Sequence, residues 1–196
     1  MTTYYATAAQ VRDQLRKVTF SELGFASDAA FTTAIETVLA DVDVLIDNYT
    51  HRQFFKKTAQ TEIFDGQEQQ YLFPTQTPII ALSKVEYRSS QTGSWAEQTL
   101  TDFYAYDEYV YYEGRFAWGH RNYRITYDYG YDAVPDAIKR AAILIAGNII
   151  TQWRLNALGL TMAWQDYRVK VPSQDLITPN EEAILRPYVK LVAGIA

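Results

Sequence analysis

Between Phe31 and Tyr49 the apolar residues Phe31, Ile35, Val38, Leu39, Val42, Leu45, Ile46 and Tyr49 recur in steps of three and four. At 3.6 residues per turn this spacing draws one stripe over about five turns, a pattern that fits a helix packed on a core and not a strand. Ser27 or Asp28 supplies a start, and the spacing predicts a helix over 28–52. Its opposite face carries Glu36, Asp41, Asp43 and Asp47. Asp43 and Asp47 lie four apart and share a side; with no ligand cage around them they read as a solvated face rather than an acid/base pair. Upstream, Thr7 and Gln10 have capping-box spacing before Val11, Leu15 and Val18, so the first helical stretch covers 7–52.

The period then changes to two. In Tyr123, Ile125, Tyr127, Tyr129 and Tyr131 every second residue is large and apolar, with Arg124, Thr126 and Asp128 between them. That is a strand with one buried face. Ile79 to Tyr87 is also strand-like. Asp65-Gly66, Pro74, Pro78 and Thr92-Gly93-Ser94 punctuate the region as turns and loops. An antiparallel β region is therefore expected at about 61–131. Twelve aromatic residues fall between Phe103 and Tyr131. Sheet core is the first reading of them, a protein interface the second, and a stacking site for sugars or bases a distant third. Tyr111-Tyr112 and Tyr129-Gly130-Tyr131 put rings on both faces of their segments, which favours core plus interface.

Helix returns at Pro135, which suits a first turn because its missing N–H is not needed there. The expected helix, 135–158, carries Ile138, Ala141, Ala142 and Ile145 on one side and Ile143, Leu144 and Ile150 around the others. A helix apolar all round must be enclosed by other helices or by a neighbouring subunit. Gly159 to Leu176, with Trp164 and Tyr167, is less regular. Thr178-Pro179-Asn180-Glu181 then combines a cap, a proline and a capping-box glutamate, starting a last helix over 179–193. Altogether the pattern describes an α+β chain: a helical bundle, 7–52 and 135–193, with the β region inserted, in a single domain of 1–196.

The search for chemistry excludes more than it finds. The chain of 196 residues has no cysteine, which removes disulfides, thiolate metal sites and cysteine nucleophiles. His51 and His120 have no second histidine at metal spacing. No GxSxG, GxGxxG or GxxxxGK[ST] pattern occurs. Asp65-Gly66-Gln67-Glu68 lacks the alternating acids of a calcium loop. No catalytic, cofactor-binding or metal-binding residue is expected. The net charge of −5 argues against tight nucleic-acid binding, which phosphate contacts dominate. Met1 to Gln10 lacks the apolar core of a signal peptide, and the longest apolar run, Ala141 to Gly147, is too short to span a bilayer. A soluble chain made in the cytoplasm is expected.

Three landmarks, in order, resemble the head-to-tail connector (adaptor) family of tailed bacteriophages. The end of the long helix, Ile46-Asp47-Asn48-Tyr49-Thr50-His51-Arg52-Gln53-Phe54, is similar to the family's helix ending, with Tyr49, Arg52 and Phe54 as its markers. Ile63-Phe64-Asp65-Gly66, Tyr71-Leu72-Phe73 and Pro78-Ile79 resemble its Asp-Gly hairpin and Pro-Ile strand. Ile125 to Tyr131, with Gly130 and Tyr131, leading to Val134-Pro135 and Ala141, resembles its strand-to-helix junction. The aromatic segment Trp95 to Trp118 and the apolar end Val192 to Ala196 depart from the pattern.

The resemblance implies a structural virion protein in the neck, assembled in the host cytoplasm. Its subunits would form a ring, commonly of twelve copies, that binds the portal and extends the DNA channel toward a stopper or tail-completion protein. DNA would pass without sequence-specific binding, and neither a membrane nor a cofactor would be involved. Ile143, Leu144, Ile150, Trp164, Tyr167, Tyr188 and Ile195 are the expected subunit or portal contacts, with 159–196 as a C-terminal arm. Asp41, Asp43 and Asp47 are candidates for an acidic channel lining. Two other readings compete: an aromatic carbohydrate- or receptor-binding module of a virion, and a small hydrolase using His51 or His120 as base.

Overall fold

The computed structural model describes residues 3–16, 18–157 and 177–190. It is α+β, and its contacts group into two compact units, Met1–Arg52 with Val134–Ala196, and Gln53–Ala133.

The first unit is helical. Its described helices are α1 (Ala8–Leu15), α2 (Asp28–Thr50), α3 (Asp136–Ala157) and α4 (Pro179–Leu185). The Thr7 hydroxyl accepts the Gln10 backbone N–H at 3.2 Å and the Gln10 side-chain amide oxygen accepts the Thr7 N–H at 2.9 Å, so the capping box starts α1. The α2 stripe is buried at Phe31, Ile35, Val38, Leu39, Val42 and Ile46, while Leu45 and Tyr49 lie at its margin. It ends at Thr50 because His51 adopts a left-handed conformation, φ 54°. Arg52 therefore lies beyond the helix rather than in its last turn. The carbonyl of Pro135 accepts the Lys139 N–H at 3.1 Å, so Pro135 precedes α3 by one residue as its cap.

α3 packs on α1, α2 and α4. Ile138, Ala141, Ala142, Ile145, Ala146 and Ile150 are fully buried among them, so these helices enclose one side of α3, while Ile143 and Leu144 stay half-buried. At the start of α4 the Thr178 N–H donates to Glu181 at 2.9 Å, and Asn148 on α3 donates to the same buried carboxylate at 3.2 Å. Pro187 limits α4. The chain tightens into a single 3₁₀ turn, Arg186–Tyr188, and Val189 is already extended, so the helix expected to reach 193 is shorter. Residues 191–193 lie outside the described ones.

The second unit is more than an insertion of short strands. Strands β1 (Lys57–Gly66), β7 (Gly119–Tyr129), β3 (Ile79–Tyr87) and β4 (Ala96–Glu97) form one antiparallel sheet in the order β1-β7-β3-β4. Strands β2 (Tyr71–Leu72), β6 (Val110–Tyr112) and β5 (Phe103–Ala105) form another in the order β2-β6-β5. β7 contributes Tyr123, Ile125, Tyr127 and Tyr129 to the core and β3 contributes Ile79 and Val85. Leu72, Phe103 and Val110 join them from the smaller sheet, so one apolar core lies between the two. The period-two reading of β7 is thus met, except that Tyr131 falls beyond the strand and stacks on Phe54 at 5.7 Å.

Asp65-Gly66 is not a hairpin turn. It ends β1, with Gly66 opposite Gly119 on β7. The Asp65 carboxylate accepts the Arg121 N–H at 2.6 Å, and this bond, with a smaller contribution from His120, holds its pKa below the usual range. A Cβ on Gly66 would stand 1.8 Å from the Ala117 carbonyl oxygen. Gly130 is required for two reasons: φ is 98°, and a Cβ there would meet the Phe55 carbonyl oxygen at 2.4 Å. The Pro78 carbonyl, which follows a cis Thr77–Pro78 bond, accepts the Gly130 N–H at 3.0 Å.

Candidate functional site: surfaces prepared for contact

In the helical unit, α1 and α3 line an open groove with Gln10, Gln14, Asp136, Lys139, Arg140, Ile143 and Leu144. Ile143 and Leu144 are half-buried and reach the surface there, as does Tyr188 near α4. Ile150 is fully buried within the unit. Trp164, Tyr167 and Ile195 lie outside the described residues, as does most of the segment 159–196 expected to be an arm.

The acidic side of α2 is not a plain solvated face. Asp41 is exposed, but Asp43 accepts the Tyr5 backbone N–H at 3.1 and 3.3 Å and Asp47 accepts the Tyr5 hydroxyl at 2.5 Å. Tyr5 is buried, so the two carboxylates anchor the N-terminal segment on α2. Burial pushes the Asp43 carboxyl up to about 7, opposed by the Tyr5 N–H and aided by the nearby Asp47 charge. The sign of the linkage follows. From about pH 4 to about pH 7 the folded chain keeps a proton that the unfolded chain has lost, so this group's contribution to stability declines as pH rises through that window. Asp43→Asn keeps an acceptor for Tyr5 without titrating. In thermal unfolding at about pH 5 and about pH 8, the variant should show a flatter pH dependence and unfold at higher temperature than the parent at pH 8. An unchanged dependence would contradict the burial of this carboxyl.

The β unit offers a different surface. On the smaller sheet the alternation buries Leu72, Phe103 and Val110 and turns Tyr71, Phe73, Tyr104 and Tyr111 outward. Tyr106 and Tyr109 flank the β5–β6 turn, joined by a 2.9 Å backbone bond from the Tyr106 N–H, and their rings stack at 4.8 Å. Tyr109 meets Tyr71 edge-on at 5.3 Å and Phe73 at 6.0 Å; Tyr111 meets Tyr71 at 5.4 Å and Tyr104 at 6.2 Å. The six rings form one continuous patch, with Phe73 60% and Tyr106 49% exposed and Tyr109 and Tyr111 half-buried between the exposed ones. Sequence reasoning gave the aromatic region, and Tyr111-Tyr112 within it, a core-plus-interface reading, but named none of these six rings in its set of expected subunit or portal contacts. The signal was present as Tyr71-Leu72-Phe73 and Tyr109-Val110-Tyr111, where the aromatic residues outnumber what one buried face can take.

The polar face of the larger sheet carries an ion pair that is buried on its acidic side, at Glu86, and partly exposed on its basic side. Arg124 grips Glu86 with two bonds of 2.6 and 2.8 Å, and Lys84 adds a third contact at 2.9 Å. The Arg88 and Arg124 guanidiniums lie over the Trp95 ring, 4.4 and 4.6 Å from its centre. His120 is exposed beside Asp65 at 3.3 Å, and His51 is an exposed helix cap. Among the described residues no group of three or more His, Cys, Asp or Glu is placed to hold a metal, and no helix is long and apolar enough to cross a membrane.

These features define a two-unit α+β protein with an open groove on its helical unit and an aromatic patch on its β unit. No family model and no curated protein matches the chain. Solved structures share its fold. The chain is similar to one in the neck of an empty gene transfer agent particle computed with C6 symmetry, with 14% identity over 99% of this chain and 96% of that one and a TM-score of 0.56. It is also similar to one in the virion of the native gene transfer agent particle, with 12% identity over 95% and 91% and a TM-score of 0.53. A third likeness, to the neck of the native particle computed with C12 symmetry, has 13% identity over 95% and 91% and a TM-score of 0.50.

Proposed function

We propose that the chain is a structural subunit of a virion neck, an adaptor that assembles into a ring, binds the portal and extends the DNA channel toward the stopper or tail. The observation that carries this reading is the shared fold over nearly the whole of both chains with a neck structure of a phage-like particle. Two of the sequence landmarks are consistent with it, since Phe54, Gly130 and Pro135 serve as fold determinants, whereas Asp65-Gly66 ends β1 and does not form the hairpin turn that the resemblance implies. The work of such a protein is assembly by shape, without covalent chemistry. Ring contacts between identical copies are heterologous and close by rotation, with twelve copies the expected number. Ile143, Leu144 and Tyr188 offer apolar surface for them, and Trp164, Tyr167 and Ile195 are proposed to add to it. The part assigned to the acids of α2 narrows to Asp41, because Asp43 and Asp47 hold Tyr5. DNA passes such a lining without sequence-specific binding.

The test is to tag the chain in particle-producing cells, purify particles and image them, and to image the chain isolated with its bound partners. Rings with a central hole, and tag at the head–tail junction, are expected. Particles that lack the chain, with only monomer in the cell, would overturn the reading.

A further inference from the structure

We propose that the outer face of the β2-β6-β5 sheet is a docking surface for an arginine-bearing segment of another protein. The inference goes beyond the neck reading and stands without it.

The first argument is the face itself. A two-stranded ribbon edge or a lone exposed ring needs no explanation, but six mutually packed rings on one solvent face do. They are also held in place in advance. The Tyr104 hydroxyl donates to Glu113 at 2.8 Å, and the Ile79 N–H ties the hairpin tip to β3 through the Asp107 carbonyl at 2.9 Å. Preformed aromatic surface loses little freedom when a partner binds.

The second argument is charge. Asp107 and Glu108 occupy the turn between the stacked Tyr106 and Tyr109, and Glu113 lies just past the end of β6. All three carboxylates are exposed at the rim of the ring patch. Ring faces attract cations, and carboxylates at their edge complete the site for a planar guanidinium, which stacks and pairs at once. The same unit already contains this arrangement internally: Arg124 lies over Trp95 while paired with Glu86.

The third argument separates this occupant from a sugar. Stacking on a glycan asks for flat rings in a common plane. Here neighbouring rings meet at 78° for Tyr71 and Tyr109, 57° for Phe73 and Tyr109, and 48° for Tyr71 and Tyr111, and only Tyr106 and Tyr109, at 27°, and Tyr104 and Tyr111, at 38°, lie closer to parallel. Such a surface presents clefts between rings, which suit side chains better than pyranose faces. A second copy docking by this same face would bring its carboxylates against their equivalents, an unfavourable pairing.

The experiment uses the full chain with ¹³C-labelled tyrosine and phenylalanine rings, followed by NMR. The probes are a blocked peptide of alternating arginine and glycine with three arginines, the same peptide with citrulline in place of arginine, and cellohexaose. The arginine peptide should shift the signals of Tyr71, Phe73, Tyr106 and Tyr109. Binding should weaken roughly fivefold with citrulline, and by a similar factor in Glu113→Gln or Asp107→Asn, which keep the rings intact. Phe73→Ser, at the most exposed ring, should weaken it without loss of fold. Unmoved ring signals, or equal shifts from the citrulline peptide, would overturn the proposal. So would shifts with cellohexaose alone, which mark a glycan site, or shifts on simple concentration of the protein, which mark self-association.

Discussion

Gly66→Ala should destabilise the β unit by about 4 kcal/mol, near the top of the range for single substitutions. The added methyl would stand 1.8 Å from the Ala117 carbonyl oxygen, a backbone atom that cannot turn aside as a side chain would. That carbonyl already accepts the Asn122 amide at 2.9 Å, and the same Asn122 accepts the Gly66 N–H at 2.8 Å. Asn122 is buried, so pushing the two segments apart leaves polar atoms without partners as well as opening the packing. Urea unfolding followed by the near-ultraviolet signal of the aromatic core gives the measurement. Gly24→Ala is the comparison: φ is 77° but the space around it is open, so only the backbone penalty of about 1 kcal/mol is expected. A Gly66 variant no worse than the Gly24 variant would mean that β1 does not approach Ala117 in this way.

Arg124→Met should cost about 2 kcal/mol, because it leaves the buried Glu86 carboxylate without its main partner. Arg124 is itself partly exposed and Lys84 remains at 2.9 Å, which keeps the loss below that of a fully buried pair. The pH dependence identifies the cause. The bond from Arg124 is the chief reason the Glu86 carboxyl is held down to about 2. For a lowered carboxylate the stabilisation is present above the unfolded value, near 4.5, and is lost as pH falls toward 2. The parent should therefore weaken in that acid window, and the variant should lose much less there, since its ionised Glu86 is no longer favoured. An equal acid loss in both would assign the effect to other carboxylates. The double variant Glu86→Leu with Arg124→Met should recover much of the stability at neutral pH, as isosteric apolar pairs do in such sites.

The acid window of Glu86 and the neutral window of Asp43 involve contacts of the same kind of concealment in the sequence. Asp43 meets Tyr5 across 38 positions, and Glu86 meets Arg124 across another 38. No local pattern marks either pair, so Asp43 read as solvated and Glu86 was not singled out at all. What was legible is what neighbours in sequence decide. The α2 stripe, the capping boxes at Thr7 and Thr178, and the alternation of β7 depend on residues within a few positions of each other. Asp65-Gly66 misled for the same reason: the dipeptide favours a turn, yet here its glycine answers to a carbonyl 51 positions away and its aspartate to Arg121. The first residues of β1 were missed because the strand is an edge. Residues 57–59 are exposed, Ala59 bulges at φ 56°, and no apolar repeat accompanies them. The sequence raised an interface in the aromatic region but not which rings form it, because alternation tells which residues share a face and not which face is wet.

Phe55 and Tyr131 form a parallel bridge at the root of the β unit, and Phe54 stacks on Tyr131 beside it. The chain thus enters and leaves this unit side by side, about one interstrand spacing apart. A segment closed at its base in this manner is a cassette. Changes in the length of its loops leave the separation of its two ends as the bridge sets it.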